Sequence, residues 1–163
     1  MNKRNSVKNS VIYLIFVVVG IITIFYQIHF EDFWIDEMNS FYVADPKLSF
    51  EETFLRHNKT DWHNPKLFNL ILKNYLNFTG YDPFLARYQP LFFGSVSLFM
   101  LGFISYQVKK DNSFLITTLL TCTSIYIIKY SQELRPYSLL LITSILNIFF
   151  YIKLISISKK KIT

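Results

Sequence analysis

The sequence predicts an all-α, polytopic membrane protein with about four transmembrane helices and amphipathic interfacial helices in its first outer loop. Three observations predict it. The chain of 163 residues is 52% hydrophobic and 18% aromatic, more apolar material than a soluble domain of this length needs. Its apolar residues gather into long runs of about the length that spans a bilayer. Its basic residues sit at the ends of those runs, as Lys3, Arg4 and Lys8, then Lys109 and Lys110, then Lys159, Lys160 and Lys161. Nine of the eleven acids lie between Glu31 and Asp82. That distribution follows the positive-inside rule. Nucleic acid is excluded as a partner despite the net charge of +6, because binding it needs a continuous basic face.

Taken in order, residues 1–10 are polar and basic, and 11–30 are apolar and uncharged. A secretory signal would begin similarly, but this run is long and no small-residue cleavage site follows. It predicts a first span with a cytoplasmic N-terminus. A polar outer loop then runs from 31 to about 83. Asp36 predicts a cap for a short helix ending near Ala44, before Pro46. Ser49-Phe50-Glu51-Glu52 has capping-box spacing and starts a helix running to about His57, with Phe50, Phe54 and Leu55 on its membrane side. From Pro65 to Phe78, Lys66, Asn69, Lys73 and Asn77 recur every three or four residues. They predict the wet stripe of an amphipathic helix lying in the interface. The charge rule agrees, since only a non-spanning segment here leaves all three basic clusters cytoplasmic. The remaining spans are predicted at 86–107, 113–130 and 137–157, with a tight turn at Lys109-Lys110-Asp111-Asn112. The single cysteine, Cys122, stands mid-run and reads as core or lipid-facing. The whole chain, 1–163, forms one membrane domain.

This topology brings three polar groups to the outer face: Asp36-Glu37, then Asp61-Trp62-His63-Asn64-Pro65-Lys66, then Gln132-Glu133-Leu134-Arg135-Pro136-Tyr137. Arg87 is a fourth member. Each has a plain structural explanation too, as a cap, a loop or a solvated turn, and an exposed charge pair needs no function.

The ordered set of Trp34-x-Asp36-Glu37, His63-x-Pro65 heading an amphipathic helix, Ala86-Arg87 before a span, and Tyr130-Ser131-Gln132-Glu133-x-Arg135-Pro136-Tyr137 resembles the GT-C glycosyltransferases. The nearest likeness is to bacterial members related to dolichyl-phosphate-mannose protein mannosyltransferases and lipid A aminoarabinose transferases, and it covers their N-terminal portion. The resemblance implies a donor sugar on a polyprenyl phosphate and an inverting displacement at the outer face. It implies that Asp36, with Glu37 beside it, supplies the catalytic carboxylate as general base. The transition state would be oxocarbenium-like, as in glycoside hydrolysis. The phosphate leaving group needs positive charge or donors, and Arg135 and Arg87 are the candidates because a guanidinium grips phosphate bidentately. His63, Lys66, Gln132, Glu133 and Tyr137 join them as substrate-binding candidates, with Asp61 behind. Many relatives carry two prolines after the histidine, whereas here Asn64 takes the first place.

No cofactor is assigned. Some relatives use a divalent metal, and Asp36, Asp61 and His63 could supply ligands, but their spacing is no metal motif. The short basic turns suit a bacterial cytoplasmic membrane. Relatives have many more spans, so the resemblance further implies a separate C-terminal portion as partner. A non-catalytic membrane protein or accessory subunit is the alternative. A transporter fragment is disfavoured because the ionisable residues sit at helix ends rather than mid-membrane.

Overall fold

The computed structural model describes residues 3–26, 28–30, 32–109 and 112–162. Glu31, Lys110 and Asp111 lie outside the described residues, as do the side chains of Lys3, Arg4, Lys109 and Lys159 to Lys161. All regular structure among the described residues is helical. Three helices are long and apolar enough to cross a membrane, and a bent pair passes the same test jointly.

The first long helix, α1, runs Lys3–Phe25. The predicted span continued to residue 30, and the helix stops earlier for a visible reason. Gln132 Nε2 donates to the carbonyls of Ile24 and Tyr26 at 2.9 Å each, and Arg87 Nη1 donates to that of Ile28 at 3.0 Å. Side chains from later in the chain thus satisfy C-terminal carbonyls that another helical turn would otherwise have used.

The segment that follows α1 folds into four short helices: α2 (Ile35–Val43), α3 (Phe50–Thr60), α4 (Lys66–Thr79) and α5 (Pro83–Ala86). The Ser49 capping box forms as predicted. Glu52 N–H donates to Ser49 Oγ at 3.2 Å, and Ser49 N–H to Glu52 Oε2 at 2.8 Å. The cap of α2 differs from expectation. Glu37, not Asp36, accepts from the backbone at the helix start, taking the Trp34 N–H at 3.2 Å. Asp82 caps α5 through the Phe84 and Leu85 N–H groups, at 2.7 and 3.2 Å.

The stripe on α4 also needs correcting. Lys66, Asn74 and Asn77 are exposed, but Asn69 and Lys73 are buried beside Phe68, Leu72 and Leu76. Lys73 Nζ donates to Thr53 Oγ1 at 2.8 Å and to the Leu48 and Ser49 carbonyls. The helix therefore turns Asn69 and Lys73 toward α3 and leaves Lys66, Asn74 and Asn77 toward solvent. Phe68, Leu72 and Leu76 join Ala44, Ala86 and Leu134 in a buried cluster that seats this layer on the bundle.

The bundle is completed by α6 (Tyr88–Lys109), α7 (Ser113–Cys122), α8 (Ile125–Gln132) and α9 (Tyr137–Ile162). Helix α6 is central and packs against α1, α7, α8 and α9. The predicted span 113–130 is two helices meeting at 52°. Thr121 and Thr123 donate their hydroxyls back to the carbonyls of Thr117 and Leu119, at 2.7 and 2.9 Å. Such back-bonding bends helices. Close approach depends on glycine: a Cβ on Gly94 would collide with Ser131 Oγ, and one on Gly20 would sit 2.7 Å from Cys122 Sγ. Cys122 is therefore a core residue, packed with Ile24, Leu91 and Leu98.

Candidate active site

Helix α2 begins with two carboxylates one residue apart, about 100° around the helix. Only one of them can turn inward. Glu37 does, and its side chain is 1% exposed. Arg87, at the break between α5 and α6, meets it bidentately: Nε to Oε1 at 3.1 Å and Nη2 to Oε2 at 2.8 Å. Leu134 N–H, in the turn after α8, adds a third contact to Oε1 at 2.7 Å. The guanidinium also donates to the Asp32 carbonyl and lies 4.6 Å from the centre of the Phe33 ring. A buried carboxylate is tolerable only when paired and hydrogen-bonded in this way.

Asp36 turns outward, with its side chain 60% exposed. Its Oδ2 pairs with Arg135 Nη1. The two ion pairs are linked through the chain, because Asp36 precedes Glu37 and Arg135 follows Leu134. Anchoring Leu134 to Glu37 sets Arg135 opposite Asp36. Arg135 Nη2 donates to Tyr137 Oη at 3.3 Å, while its buried Nε has no partner. Burial alone would lower the basicity of Arg135, but Asp36 and Tyr137 outweigh it and hold the guanidinium above its ordinary value.

Two adjoining clefts flank these pairs, with volumes of about 270 and 210 Å³. Trp34, Glu37, Lys129 and Glu133 line both. Arg87 and Gln132 belong to the larger, and Asp36, Arg135 and Tyr137 to the smaller. Lys129 Nζ is 3.8 Å from Glu133 Oε1 and 5.5 Å from the centre of the Trp34 ring. The sequence assigned Lys129 no role at the site. Its one signal was the four-residue spacing to Glu133, which puts the two on the same helix face.

His63 and Lys66 do not join this assembly. Both are exposed and line neither cleft; the His63 ring lies tilted against Trp62, and Lys66 lies over the Phe54 ring. Their buried neighbours Asp61 and Asn64 tie the outer layer together instead. Asp61 accepts from Asn64 and Asn69 at 2.7 Å each and from Ser40 Oγ of α2 at 3.3 Å. Asp36, Asp61 and His63 form no metal-binding set, and no group of three or more His, Cys, Asp or Glu side chains suited to a metal occurs among the described residues.

The same network holds His57. Asn69 Nδ2 donates both to Asp61 Oδ2 and to His57 Nδ1, the latter at 3.0 Å. Turning the Asn69 amide would set its oxygen against the Asp61 carboxylate, so His57 Nδ1 must accept and the ring must be neutral. Burial lowers the His57 pKa below its ordinary 6.5; Asp61 opposes the shift and Lys66 adds to it. A depressed histidine binds its proton more readily in the unfolded chain, so stability falls with pH below that value. In detergent, Tm is expected to be level above about pH 6.5 and to fall progressively below it. His57→Gln should flatten the slope assigned to this residue. An unchanged slope in that variant would remove His57 as its source.

The chain matches no known protein family, no curated protein and no solved structure in the comparisons made.

Proposed function

We propose that this chain is a membrane glycosyltransferase of the GT-C type, or the N-terminal portion of one. It would carry a sugar from a polyprenyl phosphate to an acceptor at the outer face of a bacterial cytoplasmic membrane. In this reading α1, α5 with α6, the bent α7–α8 pair and α9 make four spans, with the N-terminus cytoplasmic and α2 to α4 outside. The observation behind it is the Asp36–Arg135 pair beside clefts built from three distant parts of the chain.

The chemistry follows from that pair. Arg135 engages Asp36 Oδ2, and the carboxylate, 60% exposed, is open to an acceptor hydroxyl. As the hydroxyl oxygen bonds to the anomeric carbon, its proton passes to Asp36 and the bond from that carbon to the phosphate oxygen breaks. Inversion results, and the polyprenyl phosphate leaves with the bonding electrons. The Arg135 guanidinium and the Lys129 ammonium supply positive charge for that phosphate. Glu37 and Arg87 hold the site together and take no part in the proton transfer.

The test uses membranes from cells with and without the chain, given a radiolabelled polyprenyl-phosphate sugar. Chain-dependent release of label from the donor into an acceptor is expected; its absence across hexose and pentose donors would sink the proposal. Topology is checked with single cysteines at Lys59, Asn77 and Asn112 in a Cys122→Ser background. Positions 59 and 77 should label from outside and 112 should not. Opposite labelling of 59 and 77 would mean that α4 crosses the membrane and splits the site.

One observation favours the non-catalytic alternative. Glu37, Arg87 and Gln132, three of the motif residues, are engaged in holding backbone. An accessory subunit would predict that Asp36 can be replaced without loss.

A further inference from the structure

Gln89 stands at the end of the bundle where α1 stops and α6 begins. It is 4% exposed, and neither its Nε2 nor its Oε1 has a hydrogen-bond partner among the described residues. Buried polar groups are nearly always paired, and an unpaired amide is costly. Its own helix offers no ready remedy. The carbonyl four residues back, on Leu85, already accepts from Tyr75 Oη and from the Arg87 N–H. Because no hydrogen bond holds the Gln89 amide, turning it breaks none.

Gln89 lines a groove of about 540 Å³ between α1, α4 and α6. Ile21 and Phe25 of α1, Ile71 and Tyr75 of α4, and Phe92 of α6 share its wall, and no charged residue lines it. Phe25 and Phe92 are exposed, so the groove opens on the flank of the bundle. At the start of α6 it is walled by α4, because Tyr75 is tied to Leu85. Ser95 Oγ is also buried there without a partner, but a serine hydroxyl can turn to the carbonyl four residues back in its own helix. The amide therefore sets the requirement: an acceptor for Nε2 and a donor for Oε1.

These features select the occupant. It is apolar over most of its length, uncharged, and carries an acceptor beside a donor. A water molecule needs two to four polar partners, and this wall is apolar. A phospholipid head group would bring a phosphate against a wall with no counter-charge. A further spanning helix lying along α6 would meet α4 at the closed end. We infer that the groove binds an acylglycerol with a free hydroxyl. Its ester carbonyl accepts from Gln89 Nε2, its hydroxyl donates to Gln89 Oε1, and an acyl chain runs along α6 past Phe92. The depth agrees. Helix α6 has 22 residues, about 33 Å, slightly more than the hydrocarbon core, so its second residue lies at the interface. The inference rests on α1 and α6 crossing the membrane, one part of the proposal above, and is independent of glycosyl transfer.

Photolabelling of the full chain in phosphatidylcholine vesicles tests it. The probe is a 1,2-diacylglycerol with a diazirine in one acyl chain. Labelling should saturate and map to the facing parts of α1, α4 and α6. Unlabelled diacylglycerol should compete, and its methyl ether, which lacks the donor, should compete about 2- to 10-fold less well, the worth of one hydrogen bond. Gln89→Leu should weaken labelling about 5- to 150-fold, because two are lost, with an unfolding midpoint in SDS unchanged or higher. Ile71→Trp, which narrows the groove and leaves the amide in place, should remove the labelling. Absence of saturable labelling would mean that phosphatidylcholine fills the groove equally well, and would overturn the inference. So would equal labelling of Gln89→Leu, persistent labelling of Ile71→Trp, or equal competition by a long-chain fatty acid. Carbonate extraction run alongside separates failures: a chain that leaves the membrane defeats the spans themselves, whereas an integral chain without saturable labelling defeats only the lipid site.

Discussion

Asp36→Asn is expected to leave the protein inserted, folded and at normal levels while lowering glycosyl transfer by roughly 10²- to 10⁴-fold, the usual contribution of a positioned general base. The structural cost should be small. The Asp36 side chain is 60% exposed and does not cap α2, and the Asp36→Asn side chain keeps an oxygen that can accept from Arg135, whose own side chain is 17% exposed. A large loss of transfer with an unchanged unfolding midpoint would therefore assign chemistry to the carboxylate. Arg135→Gln supplies the second arm. If the guanidinium serves the leaving phosphate, that variant loses transfer by a comparable factor, and a donor with a less basic leaving group restores part of it. If Arg135 only orients Asp36, the better leaving group gives no selective recovery. Wild-type transfer by Asp36→Asn would turn the reading toward an accessory protein.

Much of the fold was legible because its signals are local. Run length and the placement of lysines indicated the apolar helices, and the Ser49–Glu52 box marked the start of α3 within a residue. The meeting of residues 36, 87 and 132–137 followed from assigning helix ends to one side. What escaped the sequence was set by distant partners. Nothing in Asp36-Glu37 says which carboxylate turns inward; Arg87, fifty positions later, decides it. Asn69 and Lys73 have the spacing of a wet stripe whether their partners are water or the groups of α3, so period alone could not tell the two apart. The bend after α7 was signalled by Thr121-Cys122-Thr123-Ser124, but length and hydropathy continue smoothly across it. His63 and Lys66 were chosen from the resemblance, and the buried Asp61 and Asn64 beside them turn out to carry that motif's contacts.

The larger effect on folding is expected at Arg87. Arg87→Met leaves the Glu37 carboxylate buried with its counter-ion gone, and removes the donors serving the Ile28 and Asp32 carbonyls. Removing one partner of a buried pair costs about 3–5 kcal/mol. Unfolding in mixed micelles with increasing SDS should show a correspondingly early midpoint. Glu37→Gln keeps an oxygen that can accept from Leu134 N–H, so it should cost less than Arg87→Met. The double variant discriminates the cause. With the charge on both sides removed, its destabilisation should fall well short of the sum of the two single changes, because no unpaired ion remains. Additive costs would mean that the two residues act separately and that the bidentate contact contributes little. The pair also governs the site from one step away. Glu37 holds Leu134, and the neighbours of those two residues, Asp36 and Arg135, face each other only while that contact lasts. Any transfer activity should therefore vanish in Arg87→Met along with the stable fold, whereas in Asp36→Asn it vanishes from an intact one.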